Sequence, residues 1–227
     1  MSPGLEPAGV KIGIVDYGMG NRRSVEKAFA HVGATATVSS DHATLAGADG
    51  LVVPGVGAFP RAIENLHALG LAELLAERLA TGTPVLGICL GMQLGLDSSE
   101  ELGGAQGLGF VPGEVSSLRA GTLKLPHIGW NEVRFSASSP LLRGLPERCA
   151  FYHVHSFAAR PADPADVLGT ADYGERFASA IQRGSFYGVQ FHPEKSSTAG
   201  LRMLANFAAI CSGDRGPAAQ ALRSAAR

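Results

Sequence analysis

Charge is scarce in this chain. Lys, Arg, Asp and Glu make up 17% of its 227 residues, and the net charge is −1. Such a balance leaves no electrostatic footprint for nucleic acid or an anionic membrane, so neither is expected as a partner. Cysteine is rarer still, with Cys89, Cys149 and Cys211 odd in number and far apart. They exclude a disulfide framework and point to a reducing, cytoplasmic setting. No Cys-x-x-Cys pair marks a zinc site, and neither a metal nor another cofactor is expected. No apolar run nears the ~20 residues of a membrane span. Residues 1–9 carry Pro3, Gly4, Pro7 and Gly9 without an apolar core, so they read as a loose leader rather than a signal peptide. Residues 212–227, rich in Ala, Arg and Gly, read as a frayed tail. Between them, residues 10–211 are expected to form one domain, since 45% hydrophobic residues suffice for a single large core.

What is present centres on Pro84–Gln93, which reads Pro-Val-Leu-Gly-Ile-Cys-Leu-Gly-Met-Gln. A short apolar run ends at Cys89 between Gly87 and Gly91. That spacing suits a nucleophile elbow, where a strand turns sharply into a helix and lifts the corner side chain above the sheet. A helix N-terminus at the cysteine would favour its thiolate. The alternative is a buried packing cysteine at the end of a core strand.

The first half alternates. Strands are expected over Val10–Asp16, Ala34–Ser39, Gly50–Val53 and Thr83–Ile88. Helical periodicity appears at Val25, Ala28, Phe29 and Val32, in Arg61–Leu69, in Leu71–Leu79 and in Leu90–Leu96. This order predicts an α/β, doubly wound, mostly parallel sheet flanked by helices. Pro54–Pro60 reads as a loop whose N–H groups could stabilise an oxyanion, or as an ordinary strand-to-helix turn. Asp16 is expected to cap a turn. From Gly103 the texture changes. Gly107–Phe135 suggests short strands and hairpins, with further strands over Cys149–Phe157, Asp166–Gly174, Phe177–Arg183 and Phe186–Phe191. A terminal helix presents Leu201, Leu204, Phe207, Ala208 and Cys211 on one face.

The second half of a site lies in Phe191-His192-Pro193-Glu194. In an extended segment His192 and Glu194 point to one side. A carboxylate there can orient an imidazole whose other nitrogen serves a nucleophile, giving a Cys89–His192–Glu194 triad. Such a set performs acyl transfer, with oxyanion donors expected from Leu90 and from one of Gly55–Gly57. His31, His42 and His67 read as solvated. His127, His153 and His155 could line a site but are more often structural, and Cys149 and Cys211 read as packing residues.

Gly87–Gln93 together with Phe191–Glu194 resembles the class I (triad) glutamine amidotransferases. Asp16–Asn21, Pro54–Phe59, Pro126–Asn131 and His192–Ser196 resemble a narrower group, the glutaminase subunits of imidazole glycerol phosphate synthase. The resemblance implies the amidotransferase fold, with a smaller antiparallel sheet beside the main one. It implies glutamine hydrolysis to glutamate and ammonia, and a (β/α)8-barrel cyclase partner that uses the ammonia in histidine biosynthesis. It implies Cys89 as nucleophile, His192 as base and Glu194 as orienter. Val56, Gly57 and Leu90 would form the oxyanion hole, while Gln93, Glu101, Ser156 and Phe157 would bind glutamine. Tyr152, Trp130 and Lys195 would lie near the subunit interface and ammonia passage. The family often has Tyr at Phe157, so only a main-chain role is implied there. An amidotransferase of another pathway, a stand-alone γ-glutamyl hydrolase and a non-catalytic protein of the same fold are the alternatives.

Overall fold

The computed structural model describes residues 9–213. The expected leader and tail therefore lie outside the described residues, except for Gly9, Ser212 and Gly213. The first half alternates as anticipated: β1 (Lys11–Val15), α1 (Arg22–His31), β2 (Thr35–Ser39), α2 (His42–Ala46), β3 (Gly50–Gly55), α3 (Phe59–Ala68), α4 (Leu71–Ala80), β4 (Val85–Cys89) and α5 (Leu90–Leu94). The second half supplies β5 (Ser98–Ser99), β6 (Ala105–Gln106), β7 (Gly113–Ser117), β8 (His127–Phe135), β9 (Arg148–His155), β10 (Phe157–Pro161), β11 (Val167–Tyr173), β12 (Glu175–Arg183), β13 (Phe186–Val189) and α6 (Ser197–Cys211).

Nine strands form one mixed sheet in the order β2-β1-β3-β4-β13-β12-β11-β8-β9. Neighbours from β2 through β13 run parallel, and those from β13 to β9 run antiparallel. A second sheet, β10-β7-β5-β6, is antiparallel except where β5 meets β7. The antiparallel texture of the second half thus extends the main sheet as well as building the small one.

Helices cover both faces of the parallel half. On one side α1 and α6 bury Val25, Phe29, Met203, Leu204 and Phe207 against Ile12, Ile14 and Ile88. On the other, α2 to α5 bury Leu45, Phe59, Leu66, Leu71, Leu75 and Met92 against Val15, Leu51 and Val85. β4 is buried along its whole length, which is why it reads as an unbroken apolar run.

Several local expectations are revised. Pro54 and Gly55 belong to β3, paired in register with Ile88 and Cys89. Proline suggested a loop because it cannot donate, but its carbonyl is held by the Tyr17 hydroxyl at 2.7 Å. α3 starts at Phe59 with Pro60 in its first turn, where the missing N–H costs nothing. α2 is too short for a periodic signal and is fixed by the Asp41 carboxylate accepting from Thr44 N–H at 2.8 Å. The anticipated hairpins in 107–135 do not form between β7 and β8, which join different sheets. The single strand expected over 149–157 likewise breaks at Ser156, where the chain passes from the large sheet to the small one.

The tightest packing lies where α5 leaves β4. A β-carbon on Gly87 would strike the Gly91 carbonyl, and one on Gly91 would strike the Val53 carbonyl oxygen. Both obstacles are backbone and cannot turn aside. Gly91→Ala is expected to lower unfolding stability by about 3 kcal/mol, as overpacking of a closed core does. Gly82→Ala, which meets open space at positive φ, should lose only about 1 kcal/mol. Urea unfolding of both variants checks this; equal losses would refute the packing argument.

Candidate active site

Cys89 ends β4, the strand between β3 and β13, at the carboxyl edge of the parallel half. Register pairs Gly55 with Cys89 and Val189 with Ile88. The residues that follow those strands, Val56–Gly57 and Gln190–His192, therefore emerge on either side of the cysteine. The chain reverses sharply there: Cys89 has φ 54° and ψ −109°, a conformation that costs a non-glycine residue about 1–3 kcal/mol. The elbow inferred from the flanking glycines is thus present, and the surrounding backbone contacts hold it. Cys89 is buried, and its sulfur meets the Val154 carbonyl at 3.6 Å and accepts from Gln190 Nε2 at 3.7 Å.

Beyond β13 the chain enters a short 3-10 turn at Pro193–Lys195. His192 N–H donates to the Tyr152 carbonyl at 2.8 Å. The Ser196 hydroxyl donates to the His192 carbonyl at 2.6 Å and accepts from Tyr152 N–H at 3.0 Å. Glu194 Oε1 lies 2.9 Å from His192 Nδ1, and the two side chains are 0% and 1% exposed. A carboxylate only accepts, so Nδ1 carries the proton in that bond. Among the described residues no hydrogen-bond partner meets the buried Nε2 or the buried Glu194 Oε2 within hydrogen-bond distance. Unpaired buried polar atoms are rare in folded proteins, and these two belong to one histidine–carboxylate pair beside Cys89. Burial works against charge on this imidazole, but the Cys89 sulfur and the Glu194 carboxylate outweigh it and raise its pKa to about 9. The sulfur and the ring are thus linked electrostatically, although they come from segments far apart in the chain.

Asn21 belongs to this cluster and was not anticipated. Its Nδ2 donates to Glu194 Oε1 at 2.6 Å and lies 3.3 Å from His192 Nδ1. It adopts φ 77° at the start of α1, a conformation asparagine tolerates better than most residues. Its segment, Asp16–Asn21, includes a glycine-rich turn and carries the family resemblance, but neither assigned Asn21 a role. Asp16 caps that turn as expected, accepting from Gly18 N–H at 3.1 Å, and also pairs with Arg22.

A cavity of about 270 Å³ opens in front of Cys89. Its wall includes every residue expected for the oxyanion hole and for substrate: Val56, Gly57, Leu90, Gln93, Glu101, Ser156 and Phe157. Pro126, Val154 and His155 complete the lining; of these only His155 was read as a residue that could line a site. Gln93 Nε2 donates to the Phe157 carbonyl and to Gln190 Oε1, both at 3.0 Å, so its amide is fixed. Glu101 is anchored too, one oxygen accepting from Phe59 N–H at 2.9 Å. Gln190 was missed; the signal was a polar residue inside an otherwise apolar strand end. Tyr17 was also missed. Its buried hydroxyl, kept protonated by desolvation and then by the charge of Cys89, holds the strand that leads into Val56.

Trp130, Tyr152 and Lys195 do not line this cavity. Trp130 is 56% exposed and meets Tyr152 edge to face at 6.3 Å, while Lys195 lies exposed beyond His192. His31, His42 and His67 are solvent-exposed. His155 lines the cavity, and His127 and His153 are buried against it. Among the described residues no group of side chains is placed to hold a metal ion, and no helix is long and apolar enough to cross a membrane.

Comparison with known proteins gives the family. Residues 13–211 match the family model of glutamine amidotransferase class-I. The chain is 50% identical over 196 residues to the imidazole glycerol phosphate synthase subunit HisH of Moorella thermoacetica, covering 86% of this chain and 93% of that protein. It is 51% identical to the protein of the same name from Symbiobacterium thermophilum, covering 87% and 92%. Among solved structures, PurLQS from Thermotoga maritima superposes with a TM-score of 0.69 at 15% identity over 88% of this chain and 98% of that one. A glutamine amidotransferase from Thermotoga maritima superposes at 0.61 with 17% identity, over 89% and 98%. These two likenesses concern the fold. On its strained cysteine elbow, its buried His–Glu pair and its match over nearly the whole described chain, this protein belongs to the class-I glutamine amidotransferase family.

Proposed function

We propose that the chain is the glutaminase subunit of an imidazole glycerol phosphate synthase. It hydrolyses glutamine to glutamate and ammonia and passes the ammonia to a (β/α)8-barrel cyclase. That partner makes imidazole glycerol phosphate and aminoimidazole carboxamide ribotide in histidine biosynthesis. The same reading takes residues 10–211 as one amidotransferase domain working in the cytoplasm. The observation that carries it is the shared cavity. Cys89 and all seven residues expected to hold glutamine or its oxyanion line one space, backed by a buried His192–Glu194 pair. Identity near 50% to HisH proteins narrows the pathway.

In the mechanism, Cys89 attacks the γ-carboxamide carbon as the thiolate. The oxyanion rests on N–H groups of Leu90 and of Val56 or Gly57. His192, oriented by Glu194, gives its proton to the departing nitrogen, and ammonia leaves behind a glutamyl thioester. His192 then takes a proton from the attacking water, and glutamate leaves as the thiolate is restored. Gln93, Glu101 and the main chain of Ser156 and Phe157 hold the polar groups of glutamine.

A partner follows from the product. Ammonia released into water is protonated and diluted, and a dry passage into a docked acceptor avoids both losses. Such docking calls for an apolar rather than a charged surface. Val56, Leu125, Ile128 and Trp130 are each more than 40% exposed, and they include or flank the cavity-lining Val56 and Pro126. Trp130, Tyr152 and Lys195 lie on this side of the reading, at the subunit contact and the ammonia passage.

Ammonia release is the direct test. Cys89→Ala is expected to lose glutaminase activity by on the order of a thousand-fold or more. The wild-type chain should release ammonia slowly by itself and much faster with the cyclase partner loaded with its nucleotide ligand. Full activity without a partner would favour a stand-alone hydrolase instead. The raised pKa of His192 gives a second test. A histidine lifted above its ordinary 6.5 stabilises the fold fully below that pH, and the contribution is lost as pH rises through about 9. Unfolding of wild type and His192→Gln between pH 6 and 10 should therefore converge as pH rises. Parallel curves would contradict the coupling.

A further inference from the structure

Two buried histidines, His155 in the cavity wall and His127 against it, take no part in the chemistry proposed above. His127 in β8 and His155 in β9 are register partners, and their rings meet through His127 Nδ1 and His155 Nε2 at 3.0 Å. His155 Nδ1 lies 2.8 Å from the Phe157 carbonyl, and Asn131 Nδ2 lies 3.3 Å from His127 Nε2 and donates to the Asp172 carbonyl at 3.0 Å. These contacts fix every proton. A carbonyl only accepts, so His155 carries its hydrogen on Nδ1 and accepts on Nε2. His127 must then donate from Nδ1 and accept on Nε2, where the Asn131 amide supplies its second N–H. The result is a one-way chain of donors, Asn131 to His127 to His155 to the Phe157 carbonyl, in which both imidazoles are neutral. Burial favours that state: it holds His127 below the ordinary histidine range and leads the causes that bring His155 to about 4.

The chain ends at a mechanically exposed point. Ser156 is where the backbone leaves the large sheet for the small one, so no single ladder continues through it. The Ser156 carbonyl accepts from Leu118 N–H at 2.8 Å, and the Phe157 carbonyl accepts from both His155 and Gln93. Gln93 in turn bonds Gln190, which donates to the Cys89 sulfur. We propose that His127 is a positioning residue for glutamine: through His155 it holds the Phe157 carbonyl, and with it the Ser156–Phe157 wall of the cavity, in place against Cys89. This rests on reading that cavity as the glutamine site. His127 touches neither Cys89 nor the cavity and acts only through its neighbours.

The test is steady-state glutamine hydrolysis by the chain in complex with its cyclase partner, with melting curves on each variant. His127→Leu removes the donor and should raise KM for glutamine about ten-fold, the worth of one buried hydrogen bond, while kcat stays within about two-fold. His127→Asn restores an amide N–H near the Nδ1 position and should bring KM back to within about three-fold of wild type. A purely structural role would lower melting temperature in both variants without separating KM from kcat. An unchanged KM in His127→Leu, or equal KM values in Leu and Asn variants, overturns the inference. If His127→Leu fails to fold, Asn131→Leu at the half-exposed outer end carries the test. A KM raised about three-fold supports the chain, and an unchanged KM overturns it. Wild type without Cys89-dependent glutamine hydrolysis would overturn the reading of the site and this inference with it.

Discussion

The Val53 carbonyl oxygen lies so near the α-carbon of Gly91 that no side chain fits between them. That contact joins β3 to the first turn of α5, and the Gly87–Gly91 approach joins β4 to the same turn. Cys89 is caught between the two and kept at positive φ. The strain at one residue is small beside the burial of β4 and its neighbours, each strand lying deep in a two-faced core. The position of the sulfur is therefore set by the sheet rather than by a mobile loop. The residues it works with are set the same way, because the adjacent strands end level with it.

A second constraint is the amount of polarity buried behind the nucleophile. His192, Glu194, Gln190, Gln93, His153 and His155 sit inside or against the core. Most of their polar atoms are engaged within the protein: His153 bonds the Phe151 carbonyl and the Ser179 hydroxyl, Gln93 bonds Phe157 and Gln190, and Asn21 braces Glu194. A half-satisfied network of this kind would destabilise the fold. The atoms left open, His192 Nε2 and Glu194 Oε2, belong to the pair that handles protons in the proposed mechanism.

Much of this was legible in the residues. β4 shows as a continuous apolar run because both of its faces are covered, and the glycines of the elbow are needed for close approach as well as for the turn. His192 and Glu194 share a side because they stand two apart. What was not legible depends on where separate segments cross. Ser156 reads as part of one strand, yet it divides two sheets. Residues 107–135 read as short strands and hairpins, yet β7 and β8 go to different sheets. Asn21 and Gln190 reach the site only through the packing of α1 against the Pro193–Lys195 turn and the pairing of β13 with β4. His127 and His155 give no local signal, since their pairing is set by the β8–β9 register. α2 is too short to show a period.

The proposed function requires glutamine to reach the sulfur of Cys89. The most direct measurement is the site of covalent labelling by an electrophilic glutamine analogue, mapped by peptide mass spectrometry with and without glutamine. One labelled residue is expected, Cys89, protected by glutamine, with labelling slowed when His192 is replaced by glutamine. Label on Cys149 or Cys211, or label on Cys89 that glutamine fails to block, would contradict it.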